Sequence, residues 1–127
     1  MNGAEKYYGK VIEIVKIDDE GRDAPTIFLD FTDDTWIELS DKGRSCCETR
    51  YARTDDDLTS LSGQVLRGIE VREAADLEAH DEVHEVCFLD VKTDQQTVTF
   101  SFHNEHNGYY GGFWMKVDTS AAEEVTP

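Results

Sequence analysis

Short runs of β-branched and aromatic residues, with apolar side chains at every second position, constrain this chain more than any other feature. The clearest run covers residues 97–102. Val98, Phe100 and Phe102 fall on one face of an extended strand, and Thr97, Thr99, Ser101 and His103 fall on the other. Residues 10–17, 26–31, 35–39, 64–73, 83–91 and 113–117 carry related β signals. In the first of these, a period of two puts Ile12, Ile14 and Lys16 together. Turn residues at 18–21 and 32–34 interrupt the runs, and the short spacing predicts an antiparallel meander. The run 83–91 is the most apolar and is expected at the centre of a sheet. Residues 40–53 read as a loop passing into a short extended segment, and 74–82 as a polar, acidic loop. Only 54–61 reads as helix. Thr54 caps it, Asp55, Asp56 and Asp57 sit in its first turn, and Gly63 follows its end. The three Asp lack the spacing of a calcium loop. The expected fold is mostly β, or α+β with one short helix: an antiparallel sheet of six to seven strands, curled or two-layered.

At 127 residues the chain is expected to form a single domain, 1–127, with loose ends at 1–9 and 119–127. It contains no apolar run of the roughly 18 residues a membrane helix needs, and its first ten residues lack a secretory apolar core. Three cysteines, two of them adjacent (Cys46 and Cys47), fit a reducing cytoplasm better than a disulfide framework. The formal net charge of -16 repels phosphates and argues against direct nucleic-acid binding. It suits a highly soluble protein, a halophilic host, or an acidic inhibitor that occupies a basic partner as a DNA mimic does. The acids are spread along the chain, which weakens the mimic reading.

Residues 103–113 concentrate side-chain chemistry. His103, Asn104, Glu105, His106, Asn107, Tyr109, Tyr110 and Phe113 lie among Gly108, Gly111 and Gly112. Amide and imidazole groups read hydrogen-bond edges, and aromatic rings stack on flat ligands. A pocket for a small polar, nucleotide-like ligand is the expected use. If the preceding strand continues, His103 and Glu105 share its polar face and His106 points the other way. Zinc held by His103, His106 and Cys46 or Cys47 is chemically allowed, but no metal-binding spacing supports it, so no cofactor is expected. Arg50 and Arg72 either pair with acids or contact an anion. Glu73, His84 and Glu85 flank the acidic loop, so facing strand ends could bring them together for acid–base work. Cys46 or Cys47 could serve as a nucleophile beside a His base.

Five blocks carry a resemblance to a known family. They are Ser45 with Cys46, Cys47, Glu48, Thr49, Arg50 and Tyr51; residues 54–58; residues 68–74; residues 82–86; and the stretch 103–113. Together they resemble a family of small uncharacterised proteins encoded by tailed bacteriophages and prophage-bearing bacteria, classed as a domain of unknown function. The resemblance implies a phage origin and no mechanism. The reading that follows is a phage-encoded accessory protein in the cytoplasm of the bacterial host. It would be a homo-oligomer and act by stoichiometric binding. Its pocket would be built from the 103–113 stretch with Arg50, Tyr51, His84 and Glu73, and would sequester a small ligand or dock a host protein. An acidic inhibitor of a basic host protein is the alternative, and a metal- or Cys-dependent hydrolase comes third.

Overall fold

The computed structural model describes residues 3–18, 25–42, 49–73, 77–79, 82–106 and 112–120. The strands in chain order are β1 (Ile12–Asp18), β2 (Thr26–Phe31), β3 (Trp36–Asp41), β4 (Thr49–Arg53), β5 (Leu66–Glu73), β6 (Leu77–Ala79), β7 (Glu82–Thr93), β8 (Thr97–His106) and β9 (Met115–Thr119). Eight principal strands make two antiparallel sheets that do not close into a barrel. The first has the order β1-β2-β3-β9 and the second β4-β8-β7-β5. The three-residue β6 pairs with the start of β7, on the edge that β5 occupies further along. β5 and β6 therefore form one interrupted arm of a long hairpin with β7.

The mostly β expectation holds, as do the β1-β2-β3 meander and the central place of β7. The count of six to seven strands was too low. β4 is a strand where the sequence predicts a loop that ends extended, and β6 falls in the stretch predicted as an acidic loop. β8 runs four residues past Phe102 to His106. The short helix expected over 54–61 is only a 3-10 turn, Leu58–Leu61. Its cap is Asp57, whose carboxylate accepts from Thr59 N at 3.0 Å. Thr54 lies ahead of the turn, where its hydroxyl donates to Thr99 O on β8 at 2.9 Å and accepts from Asp56 N at 3.2 Å. Gly63 at φ +88 ends the turn.

The two layers enclose one core. Ile27, Leu29, Phe31, Ile37 and Leu39 face Leu89, Val91, Val98, Phe100 and Phe102, all buried. In β8 the alternation is as expected, with Val98, Phe100 and Phe102 inward. In β1 it is not. A register shift between Ile12 and Ile14 rotates the strand, so Ile12 and Val15 are buried and Ile14 is 42% exposed. Near the start of the chain Ala4 and Tyr7 are both buried, and Tyr7 stacks on Phe31 at 5.7 Å. One seam between the sheets is backbone: Leu66 N donates to Lys10 O and Ile12 N donates to Gln64 O, each within 3 Å. Among the described residues no helix is long and apolar enough to cross a membrane.

The bulge makes an uneven demand on two neighbouring isoleucines. Ile12→Ala is expected to cost about 3 kcal/mol, and Ile14→Ala less than about 0.5 kcal/mol, in equilibrium urea unfolding.

Candidate functional site

The second seam carries most of the unusual chemistry. β3 ends at Asp41 and β4 supplies Arg50, so an acid from one sheet meets a base from the other. Asp41 is fully buried and the Arg50 side chain is 10% exposed. Arg50 Nη1 donates to Asp41 Oδ2 at 2.7 Å and to Gly112 O at 3.0 Å. Asp41 Oδ1 accepts from Trp114 N at 2.9 Å. A charge buried in this way is tolerated only with a partner of opposite sign and further hydrogen bonds. The guanidinium is engaged by protein groups.

These contacts pin residues 112–114, which lead into β9. Gly112 has φ +81, a conformation that favours glycine, and its N–H donates to Glu85 Oε1 at 2.8 Å. The same oxygen lies 2.7 Å from His106 Nε2. Asn104 Nδ2 reaches toward Gly112 O at 3.5 Å. Inward-facing side chains from β3, β4, β7 and β8 thus hold one short segment across the mouth of the sandwich.

Beside that segment, between β5, β7 and β9, lies a cavity of about 350 Å³. Val71, Cys87, Phe113 and Met115 give it apolar walls, and Glu73 and Glu85 place carboxylates at its edge. Cys87 is buried, and burial, followed by the charges of Asp41 and Glu73, pushes its thiol up to about 12. It is a packing group at neutral pH, not a nucleophile.

The outer face of the same sheet gathers a different set. His103 stacks on Tyr51 with ring centroids 4.6 Å apart and 7° between planes. The Arg53 guanidinium covers Tyr51 at 5.0 Å. His84 Nε2 lies 2.8 Å from His103 Nδ1, and His103 Nε2 lies 2.8 Å from Ser101 Oγ. Burial holds His103 below the ordinary histidine value, and the nearby His84 and Arg53 add to that. Burial, followed by the neighbouring Glu105 carboxylate, raises the Tyr51 phenol. Further along, Arg72 forks onto Asp90 at 2.6 and 2.9 Å, and Thr99 Oγ1 donates to the same carboxylate at 2.7 Å. The Arg72 contacts are the main reason the Asp90 carboxyl stays below its usual range.

The structure therefore splits the expected site in two. His103, Glu105, Tyr51 and His84 belong to the outer face. Asn104, His106, Arg50, Glu73 and Phe113 belong to the inner face and its mouth. β8 stays extended through His106, so His103 and His106 point apart and cannot share an ion. Glu73 and Glu85 do come together, while His84, next to Glu85, faces away for the same reason. Among the described residues no cluster of three or more His, Cys, Asp or Glu could hold a metal. Cys46, Cys47, Asn107, Tyr109 and Tyr110 lie outside the described residues. Sequence reasoning missed Asp41, Cys87 and Ser101. An acid at the end of an apolar strand was the available signal for Asp41. Nothing local marked the other two.

Three outcomes check this geometry. Asp41→Ala or Arg50→Met alone should destabilise the fold by about 3–5 kcal/mol, and the double substitution by less than the sum of the two. With its thiol near 12, Cys87 is thiolate in roughly one molecule in ten thousand at pH 8, so iodoacetamide should leave it unmodified until urea unfolds the chain. His103 has a depressed folded value, so its contribution to stability is complete above the unfolded value of about 6.5 and is lost as pH falls through the folded one. Proton NMR should accordingly show its imidazole titrating below that of unfolded histidine.

No curated protein and no solved structure matches the chain. A family model matches residues 5–115, a span that takes in both the cavity and the outer face. On that match the chain belongs to the family described as Domain of unknown function (DUF7448).

Proposed function

We propose that this is a phage-encoded accessory protein that acts by stoichiometric binding in the cytoplasm of its bacterial host. Its ligand site is the cavity between β5, β7 and β9. The observation that carries this reading is the pairing of apolar walls with two carboxylates, Glu73 and Glu85, at one opening. Glu85 Oε1 is occupied by His106 and Gly112, while its Oε2 has no hydrogen bond among the described residues and can accept one from a ligand. Such a site takes a small molecule with an apolar body and a cationic or donor-rich head. A nucleobase amino group meets that need if the phosphates of a nucleotide-like ligand stay in solvent. The net charge of -16 works in the same direction, because it steers cations toward the protein and repels phosphate.

Self-association fits the same mouth. Trp114, 71% exposed, ends the pinned segment, and Val71, also exposed, lines the cavity. An aromatic side chain of that size in water is a ready anchor for a second copy of the chain.

Native mass spectrometry of the full chain isolated from the bacterial host tests both points. The expected result is an oligomer carrying one small molecule per protomer, released on denaturation. Glu85→Gln should weaken binding at least about tenfold while circular dichroism stays unchanged. Bare protein from every host preparation, or full occupancy in Glu85→Gln, would count against the cavity as the site.

A further inference from the structure

Ser101, His103 and His84 form a continuous hydrogen-bonded row on the outer face of the second sheet, away from the cavity. Ser101 and His103 are two residues apart on β8, which puts them side by side on one face. His84 is the cross-strand partner of Glu105 on β7, and its ring leans toward His103 at 5.1 Å between centroids. We propose that Ser101, His103 and His84 act as nucleophile, general base and orienting residue in the hydrolysis of a small neutral or cationic carboxylic ester. This rests on other residues and another face than the binding cavity, and stands or falls separately from it.

The distances allow the proton arrangement that this chemistry needs. Ser101 Oγ has two acceptors within reach: His103 Nε2 at 2.8 Å and Arg53 O at 3.5 Å. Catalysis uses the tautomer in which the hydroxyl donates to His103 Nε2, the shorter of the two contacts. His103 then carries its own proton on Nδ1 and donates it to His84 Nε2 at 2.8 Å. Nucleophile, base and third group stand in the order that serine hydrolases require, whatever their place in the sequence. The Tyr51 ring stacked on His103 fixes the plane of the imidazole. His103 is held below the ordinary histidine value, so it is free of a second proton at neutral pH.

The row opens on a hollow of about 550 Å³. Phe88 gives it one apolar surface, Thr97 and Thr99 line its floor, and Arg53 is the cation in its wall. Arg53 pairs with Ser101 across the strands, so its guanidinium can meet negative charge developing on an acyl oxygen. Asp55 and Asp56 also line the hollow and repel an anionic substrate, which is why the ester is neutral or cationic.

The chemistry balances without an outside reagent. Ser101 Oγ bonds to the carbonyl carbon and its proton passes to His103 Nε2. The tetrahedral species collapses, the carbon–oxygen bond to the leaving alcohol breaks, and that alcohol takes the proton. Water then attacks the acyl-serine, giving its proton to His103 Nε2. His103 returns that proton to Ser101 Oγ as the acid leaves. The net reaction is ester plus water to acid plus alcohol.

The test uses the full chain and a fluorophosphonate probe, with peptide mapping. The expected result is one phosphonyl group on Ser101 of the folded protein, none on urea-unfolded protein, and none on His103→Gln. With 4-nitrophenyl butyrate, Ser101→Ala should lower turnover at least about a hundredfold. His84→Gln should lower kcat more than KM and move the low-pH limb of the profile. The titratable and charged groups that face His103 are Tyr51 and Arg53 from β4, His84 from β7 and Glu105 from β8, with Asp55 and Asp56 lining the same hollow. Failure to label Ser101, turnover that survives Ser101→Ala, or a His84→Gln profile identical to the parent would overturn the proposal. Should His103→Gln fail to fold, Ser101→Ala decides alone, since it removes one oxygen from a half-buried position.

Discussion

The contact between Asp41 and Arg50 is the constraint on which the site end of the molecule depends. It joins the last residue of β3 to the edge strand of the other sheet, with both side chains nearly out of water. Neither charge would be tolerated there alone, because the cost of desolvating one ion is repaid only by the other and by added hydrogen bonds. Those added bonds come from residues 112–114, so the ion pair fixes more than the distance between the sheets. It gives a segment outside the strand ladders a defined path, and that path closes one side of the cavity beside Glu85, Cys87 and Phe113. The opposite seam works by other means. There the backbone of residues 9–12 bonds to 63–66, and buried Ala4 and Tyr7 pack against it.

The second sheet offers two chemistries because a strand has two faces. Inward, Asn104 and His106 turn toward the mouth of the sandwich and share Gly112 and Glu85. Outward, Ser101 and His103 meet Tyr51, Arg53 and His84 in a row that faces solvent. The two sets touch the same backbone but are separated by its thickness. A small ligand cannot bridge them, so the binding proposed for one side and the acid–base chemistry proposed for the other are independent of each other. The acidity of the chain acts on both sides, drawing in cations and turning away phosphates.

Much of this is legible in the sequence. The alternation in 97–102 required an extended strand with one wet face, and the same period separated His103 from His106 once the strand continued. For Arg50 and Arg72 the sequence left acid pairing and an anion contact open, and both pair with acids. Other features were not legible. One extra residue in β1 reversed Ile14, because a bulge depends on the partner strand as well as on local sequence. The cap is Asp57 and not Thr54, because the turn begins only at Leu58, while Thr54 is tied to Thr99, forty-five residues away. Cys87 gave no sign of its place in a cavity wall, since a cysteine in an apolar run reads like any other packing residue.

The sequence by itself determined that the chain is mostly β, which residues of β8 share a strand face, and that its surface is acidic. These properties follow from side-chain period and composition, which are local or additive. Only the tertiary structure decided that Asp41 is the acid for Arg50, that Glu73 and Glu85 meet at one opening, and that Ser101, His103 and His84 form a row. Each of these depends on register between strands or on contact between sheets. A register shift of one residue would send every such side chain to the other face, and that choice is made by packing the whole core at once.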